Sequence, residues 1–355
     1  MAMVQKVFVA GYPGDVGGAN TECWHTVKLW RRFGLEVTCI PTWPEQLSPQ
    51  SLARWGKRLA AIGARTCLCS PDALGDVPGI ADQAVVGFCN VRLLEAAEKF
   101  RALGCRIIWL GCMNWLFPAE RLHYRRHGLL DRYVFQSRFQ RDQLEPQLRK
   151  FGYHDAQGLL VRGAFDCSEF PFRPRSRRLG ETFVVGRLSR AAADKFHPHT
   201  WSIYARVAAP IRARILGWDP QVEAALGSPP CWAEVLAPGA ETSRQFLSSL
   251  DCLLMAGAAA IENWPRAGLE AMAAGVPIVT DNRGGWPEMI RHGETGYLAD
   301  TPRDLADYAT RLAANESQRL EMAHAARQAV EVLCHPEATW LAWSKLFAGL
   351  HTNGA

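Results

Sequence analysis

Short apolar runs alternate with amphipathic stretches along most of the chain. Lys6 to Ala10, Glu36 to Ile40, Arg65 to Cys69, Ala84 to Phe88, Arg106 to Leu110 and Tyr133 to Phe135 read as strands. Between them, Asn20 to Phe33, Gln50 to Ile62 and Val91 to Leu103 read as helices. A β-α-β-α order of this kind predicts a parallel sheet covered by helices on both faces. The pattern pauses at Phe165 to Gly180, which holds Pro171, Pro174 and the arginines Arg173, Arg175, Arg177 and Arg178, and reads as an interdomain linker. It restarts at Thr182 to Leu188, with further strands expected at Ala213 to Leu216, Ala233 to Leu236, Cys252 to Met255 and Pro277 to Thr280. From Pro302 onward the chain reads as helical.

Composition supports a packed two-domain protein. The chain has 355 residues, 48% hydrophobic and 21% charged, with a formal net charge of +5. That mild excess suits phosphorylated ligands and is too small to argue for nucleic acid by itself. The eleven cysteines form no C-x-x-C pair and no zinc-like Cys/His pattern, so small buried apolar side chains and a reducing compartment are expected. The apolar run at the N-terminus is short enough for a first strand rather than a leader, and no stretch has the length of a membrane span. A soluble cytoplasmic protein is the expectation.

The richest segment is Glu262 to Thr280, with the form E-x-x-P-R-x-G-L-E-A-M-A-A-G-V-P-I-V-T. Pro265 suits the first turn of a helix, and Gly275 followed by Pro277 suits its end. Glu262 then lies in the loop before a short helix and Glu270 inside it. The backbone N–H groups from Trp264 to Gly268 would be free donors at a helix N-terminus, a ready phosphate site. This string resembles the E-x7-E motif of retaining GT-B glycosyltransferases, most closely glycosyltransferase family 4. The resemblance implies two Rossmann-like doubly wound domains facing a central cleft. They would comprise an acceptor domain at 1–170, a nucleotide-sugar donor domain at 171–335 and a helix at 336–355 crossing back to the first domain. It also implies that Glu262 contacts the donor sugar and Glu270 the nucleotide ribose. Pro265, Arg266, Ala267, Gly268 and Leu269 would line the donor between them.

Two further clusters fit the same resemblance. The strand Phe183 to Gly186 runs straight into Arg187, and Lys195 follows a few residues on. Fixed cations there would stabilise negative charge developing on a departing phosphate. Arg187 matches the family arginine. The segment Arg190 to Asp194 leaves the second cation open between Lys195 and Arg190, with Lys195 favoured. Gly14 to Asn20 follows the first strand without forming G-x-G-x-x-G, which disfavours a nicotinamide site. It is similar to the family's first glycine loop, with Gly17 and Gly18 as the donor-side candidates. Asp281 to Glu288 is similar to the family's G-G-x-x-E loop, whose glycines would let backbone pass near the donor.

On the acceptor side, the family's usual histidine is replaced after Ile107 to Leu110 by Asn114 and Trp115, with His123 further along. Asn114 could hydrogen-bond a hydroxyl and Trp115 could stack on a sugar or base. The basic stretch Arg121 to His127 reads as a solvated helix face or as a groove for a polyanionic acceptor, DNA included. No D-x-D pair occurs, which suits a reaction without a metal; the resemblance implies a nucleoside diphosphate sugar, UDP-linked, as co-substrate and no further cofactor. The main expectation is a retaining hexosyltransferase. The alternatives are a DNA-directed glycosyltransferase acting on a hydroxylated base, a non-catalytic GT-B scaffold and a sugar-nucleotide epimerase.

Overall fold

The computed structural model describes residues 5–14, 17–41, 48–177 and 181–350. Asp15 and Val16 of the first glycine loop, and Arg178 to Gly180 of the expected linker, lie outside these. The chain divides into two compact units, one of residues 1–165 with 335–355 and one of 166–334.

In the first unit the strands are β1 (Lys6–Ala10), β2 (Glu36–Ile40), β3 (Arg65–Thr66), β4 (Ala84–Phe88), β5 (Arg106–Leu110), β6 (Arg132–Phe135) and β7 (Gly158–Leu160). They form one parallel sheet in the order β3-β2-β1-β4-β5-β6-β7. The helices of the chain's first half are α1 (Gly18–Arg32), α2 (Pro49–Ala61), α3 (Leu93–Ala102), α4 (Pro118–His127) and α5 (Arg138–Arg149). Alternation along each strand divides its side chains between two cores. Val7 and Val9 join Trp24, Trp30 and Val86 on one face, while Phe8 and Ala10 join Val85, Ile107 and Trp109 on the other.

The second unit repeats the plan with β8 (Phe183–Leu188), β9 (Ile211–Leu216), β10 (Ala233–Leu236), β11 (Cys252–Met255), β12 (Ile278–Asp281) and β13 (Tyr297–Ala299), in the order β10-β9-β8-β11-β12-β13. Its helices are α6 (Thr200–Ala205), α7 (Pro220–Leu226), α8 (Ser243–Ser248), α9 (Arg266–Ala274), α10 (Trp286–Met289), α11 (Pro302–Ala314) and α12 (Glu316–Leu333). Each sheet reverses its winding direction once, between β1 and β4 in the first unit and between β8 and β11 in the second. In open parallel sheets ligands bind beyond the strand ends at such a reversal.

The pattern missed β7 and β13, each three residues long, and placed too much of the third strand in the sheet: it pairs only at Arg65 and Thr66. The described part of the arginine-rich segment is bound within the second unit. Arg175 pairs with the buried Asp251, the Arg177 amide donates to Glu316 Oε1 at 2.8 Å, and the Arg173 amide donates to the Ala274 carbonyl at 3.0 Å. Asp251 also accepts the Val184 amide at 2.8 Å, so this acid ties the segment to the central strand.

The final helix, α13 (Pro336–Ala348), lies in the first unit. Trp343 meets Trp30 edge-on with ring centroids 4.8 Å apart, Trp340 stacks on Phe33 at 5.2 Å, and Arg132 Nη2 donates to the Gly349 carbonyl at 2.6 Å. Trp343 is 1% exposed, so Trp343→Ala should cost about 3–5 kcal/mol. The loss should appear in hydrogen exchange as faster exchange in α1 with α9 unchanged. Unaltered protection of α1 would contradict this packing role.

Candidate functional site

Arg187 sits on β8 next to the winding reversal and is 2% exposed. Its Nη1 donates to the Ala256 carbonyl at 2.9 Å, its Nη2 donates to the Lys195 carbonyl, and its guanidinium lies 4.5 Å from the Phe196 ring centroid. Burial pulls its pKa down, opposed by Tyr204, Glu262 and Asp281, yet an arginine this basic keeps its proton. Two of its nitrogens thus fix backbone: the end of β11 on one side and the loop carrying Lys195 on the other.

Lys195 Nζ bonds Glu262 Oε1 at 2.7 Å, with side-chain exposures of 12% and 29%. Arg187, Lys195 and Glu262 line one cavity, shared with Gly257, Asp281 and Arg283. Arg190 is exposed and is not among the lining residues. Lys195 is therefore the cation that this loop presents to the cavity.

The position of Glu262 is set from below by two glycines. Gly285 donates its amide to the Glu262 carbonyl at 2.8 Å. A Cβ on Gly285 would fall 1.7 Å from the Asn263 carbonyl oxygen, and one on Gly284 would fall 2.3 Å from that of Glu262. Two residues without side chains are needed for these backbones to approach. In this structure the glycines support the acid-bearing loop.

Helix α9 begins after Pro265, which is the N-cap rather than the first helical residue, and ends at Gly275 in the left-handed conformation. The amides of Gly268 and Leu269 both donate to the Pro265 carbonyl. The expected row of free amides therefore does not extend to Gly268, because the first turn closes on itself. Gly268 packs under Trp286, where a Cβ would meet the ring at 2.7 Å. Glu270 is not part of the cavity lining. It is buried on the next turn of α9, close to Ser243 and Arg266, with Ala267 and Leu269 on the same helix.

In the first unit, Gly17 caps α1 with a φ of 92° and Gly18 is the first helical residue, in the connection from β1 to α1. Across the reversal, Asn90 Nδ2 donates to the Ala10 carbonyl at 3.1 Å, and Cys89 adopts a positive φ of 51°. Neither residue stood out in the sequence, because only the pairing of β1 with β4 brings them there. A second cavity is lined by Cys89, Cys112, Met113, Trp115, Phe117 and Glu120 among others. Trp115 is 40% exposed beside it. Asn114 and His123 are not lining residues. His123 is buried in α4 next to His127 and Tyr124, and burial pulls its pKa down to about 4, so it is neutral near pH 7.

The Asp281–Glu288 loop was expected near the donor for its glycines alone, and the structure adds the side chains of Asp281 and Arg283 to the cavity lining. They follow β12, and the signal available was two charged residues just beyond a buried strand. Among the described residues no group of three or more His, Cys, Asp or Glu side chains is placed to hold a metal ion, and no helix is long and apolar enough to cross a membrane.

Two doubly wound parallel-sheet units make this chain a GT-B fold. It resembles HepE from Anabaena in complex with UDP-glucose, with a TM-score of 0.72 at 16% identity over 97% of this chain and 98% of that one. It also resembles a sucrose-phosphate synthase from Thermosynechococcus elongatus, with a TM-score of 0.70 at 15% identity over 98% and 99% of the two chains. Residues 238–329 match the family model of group 1 glycosyl transferases. Over 64 residues the chain is 44% identical to N-acetyl-alpha-D-glucosaminyl L-malate synthase of Bacillus anthracis, a stretch covering 18% of this chain and 17% of that relative. Over 97 residues it is 34% identical to an amylovoran biosynthesis glycosyltransferase of Erwinia amylovora, covering 26% and 24%. The chain thus spans about a sixth of the first relative's length and about a quarter of the second's.

Burial raises the Glu270 carboxyl to a pKa of about 7; Arg266 and Ser243 oppose the rise, and Glu169 adds to it. The folded chain therefore holds this proton where the unfolded chain has released it. The contribution of Glu270 to stability falls as pH rises from about 4.5 to about 7. In urea titrations the stability of wild type relative to Glu270→Gln should drop by on the order of 2 kcal/mol between pH 4.5 and 8. Parallel pH profiles for the two proteins would contradict the shift.

Proposed function

We propose that this chain is a glycosyltransferase that moves a hexose from a UDP-sugar to an acceptor hydroxyl, in the cytoplasm, with retention of anomeric configuration and without a metal. The observation that carries this reading is the Lys195–Glu262 pair, held over Arg187 at the winding reversal of the second sheet. A cation and a carboxylate so joined can separate to meet the two halves of a sugar nucleotide. The ammonium faces the diphosphate and the carboxylate accepts hydrogen bonds from sugar hydroxyls. The match of residues 238–329 to group 1 glycosyl transferases supports it, as does a UDP-glucose complex in a protein of the same fold.

In this reading the donor domain is 171–335 and the acceptor domain 1–170, with 336–355 returning to the latter. Glu270 accepts hydrogen bonds from the ribose hydroxyls. The start of α9, from Pro265 to Leu269, lies along the donor, with the Arg266 guanidinium close to Glu270. Gly17 and Gly18 permit close approach of backbone in the first domain. Arg187 acts mainly by position, holding the Lys195 loop and the end of β11 while adding positive potential.

The acceptor oxygen attacks the anomeric carbon on the face that the phosphate leaves. The carbon–oxygen bond to the β-phosphate breaks, and the departing phosphate oxygen takes the acceptor's proton. Lys195 then stabilises the charge that grows on that phosphate, which lowers the barrier selectively. Trp115, exposed and beside the first-unit cavity, offers the acceptor a stacking surface. Asn114 remains a candidate hydroxyl partner, whereas a buried neutral His123 serves best as support for α4.

Thermal-shift measurements across UDP-, GDP- and ADP-hexoses test the reading first, because a ligand specific to the folded state raises its midpoint. UDP-hexoses should stabilise the protein and be hydrolysed slowly without acceptor. Absence of stabilisation by every sugar nucleotide would overturn the proposal. Lys195→Ala should lower kcat by roughly 10²–10³-fold. Glu270→Ala should raise the donor KM about tenfold with a smaller change in kcat.

A further inference from the structure

All three cations lining the second-unit cavity are hydrogen-bonded within the second unit, two of them to backbone carbonyls or to Glu262. Arg187 holds the Ala256 and Lys195 carbonyls, and Lys195 holds Glu262. The third, Arg283, has a side chain 43% exposed and is engaged with a carboxylate of the same cavity. Its Nε donates to Asp281 Oδ2 at 2.7 Å, and its Nη2 donates to Asp281 Oδ2 and to the Ala258 carbonyl at 3.1 Å.

Resting on the reading above, we propose that Arg283 is a further donor-binding residue, which exchanges its bonds to Asp281 for the diphosphate when a sugar nucleotide binds. Three cations face two carboxylates, Glu262 and Asp281, in this cavity. A nucleoside diphosphate sugar brings two negative charges on adjacent phosphates, more than Lys195 alone can meet with directed hydrogen bonds. A guanidinium offers a planar fork of donors suited to neighbouring phosphate oxygens.

The surroundings permit this exchange. Asp281 has a partner besides Arg283: the single Thr280 hydroxyl proton can go to its Oδ1, at 3.1 Å, or to the Met255 carbonyl, at 3.3 Å. A Cβ on Gly257 would fall 2.7 Å from Asp281 Oδ2 and 3.0 Å from Arg283 Nη2, so the bare backbone at that position leaves room for the pair at the end of β11. Arg283 also directly precedes Gly284 and Gly285, which pack beneath the Glu262 and Asn263 carbonyls. The acid that would meet the sugar and the guanidinium that would meet the phosphates are thus coupled through one short stretch of backbone.

Calorimetric titration of UDP and UMP into wild type, Arg283→Gln, Arg283→Lys and Asp281→Asn tests the proposal, with thermal midpoints checking that each variant folds. Arg283→Gln should weaken UDP about tenfold or more while changing UMP less than threefold, and Arg283→Lys should recover part of the loss. Asp281→Asn, which releases the guanidinium, should bind UDP as tightly as wild type or more tightly. Equal weakening of UDP by Arg283→Gln and Asp281→Asn would assign the pair a purely structural role and overturn the proposal. So would wild-type UDP affinity in Arg283→Gln. If wild type bound no nucleoside diphosphate, the glycosyltransferase reading itself would fail.

Discussion

The contact on which the site depends is the ion pair between Lys195 and Glu262. Opposite unit charges about 4 Å apart attract by about 4 kcal/mol at an effective dielectric of ~20, and desolvation and side-chain ordering take back much of that. The pair is therefore strong enough to organise the cavity and weak enough for a charged ligand to replace it. Its geometry is inherited from backbone rather than from the two side chains. Arg187 holds the carbonyl of Lys195, and Gly285 holds the carbonyl of Glu262. Both ends are fixed before any ligand arrives, which is the form of preorganisation that lowers the free energy needed to bind and react.

The placement of that pair follows from topology. Parallel strands joined by helices direct their C-terminal ends to one edge of the sheet, and the winding reversal between β8 and β11 leaves a gap there. Residues from three distant parts of the second unit meet at this gap: the β8 loop, the segment after β11 and the glycine-bearing turn after β12. The first unit has the same construction around β1 and β4, where Gly17, Cys89 and Asn90 occupy the equivalent edge.

Much of this was legible before the structure. Lys6–Ala10, Glu36–Ile40, Ala84–Phe88, Arg106–Leu110 and Cys252–Met255 are strands at the expected positions, because runs buried on both faces carry a strong signal. The GT-B architecture followed from their order together with the Glu262–Thr280 string. Short edge strands were not legible, since Gly158–Leu160 and Tyr297–Ala299 are only three residues long. Within the site, Arg187, Lys195 and Glu262 do share a cavity, while Glu270 and the exposed Arg190 are not among its lining residues. The Asp281–Glu288 loop was legible through its glycines, but the side chains of Asp281 and Arg283 were not, because their closeness to Lys195 and Glu262 comes from strand pairing rather than from spacing. His123 looked available in sequence, yet helical periodicity turns it inward beside Tyr124.

The most direct test of the account is a crystal structure of the protein with UDP bound. The account predicts that Lys195 Nζ leaves Glu262 and lies about 3 Å from a phosphate oxygen. A nucleotide bound elsewhere, with the Lys195–Glu262 bond intact, would contradict it.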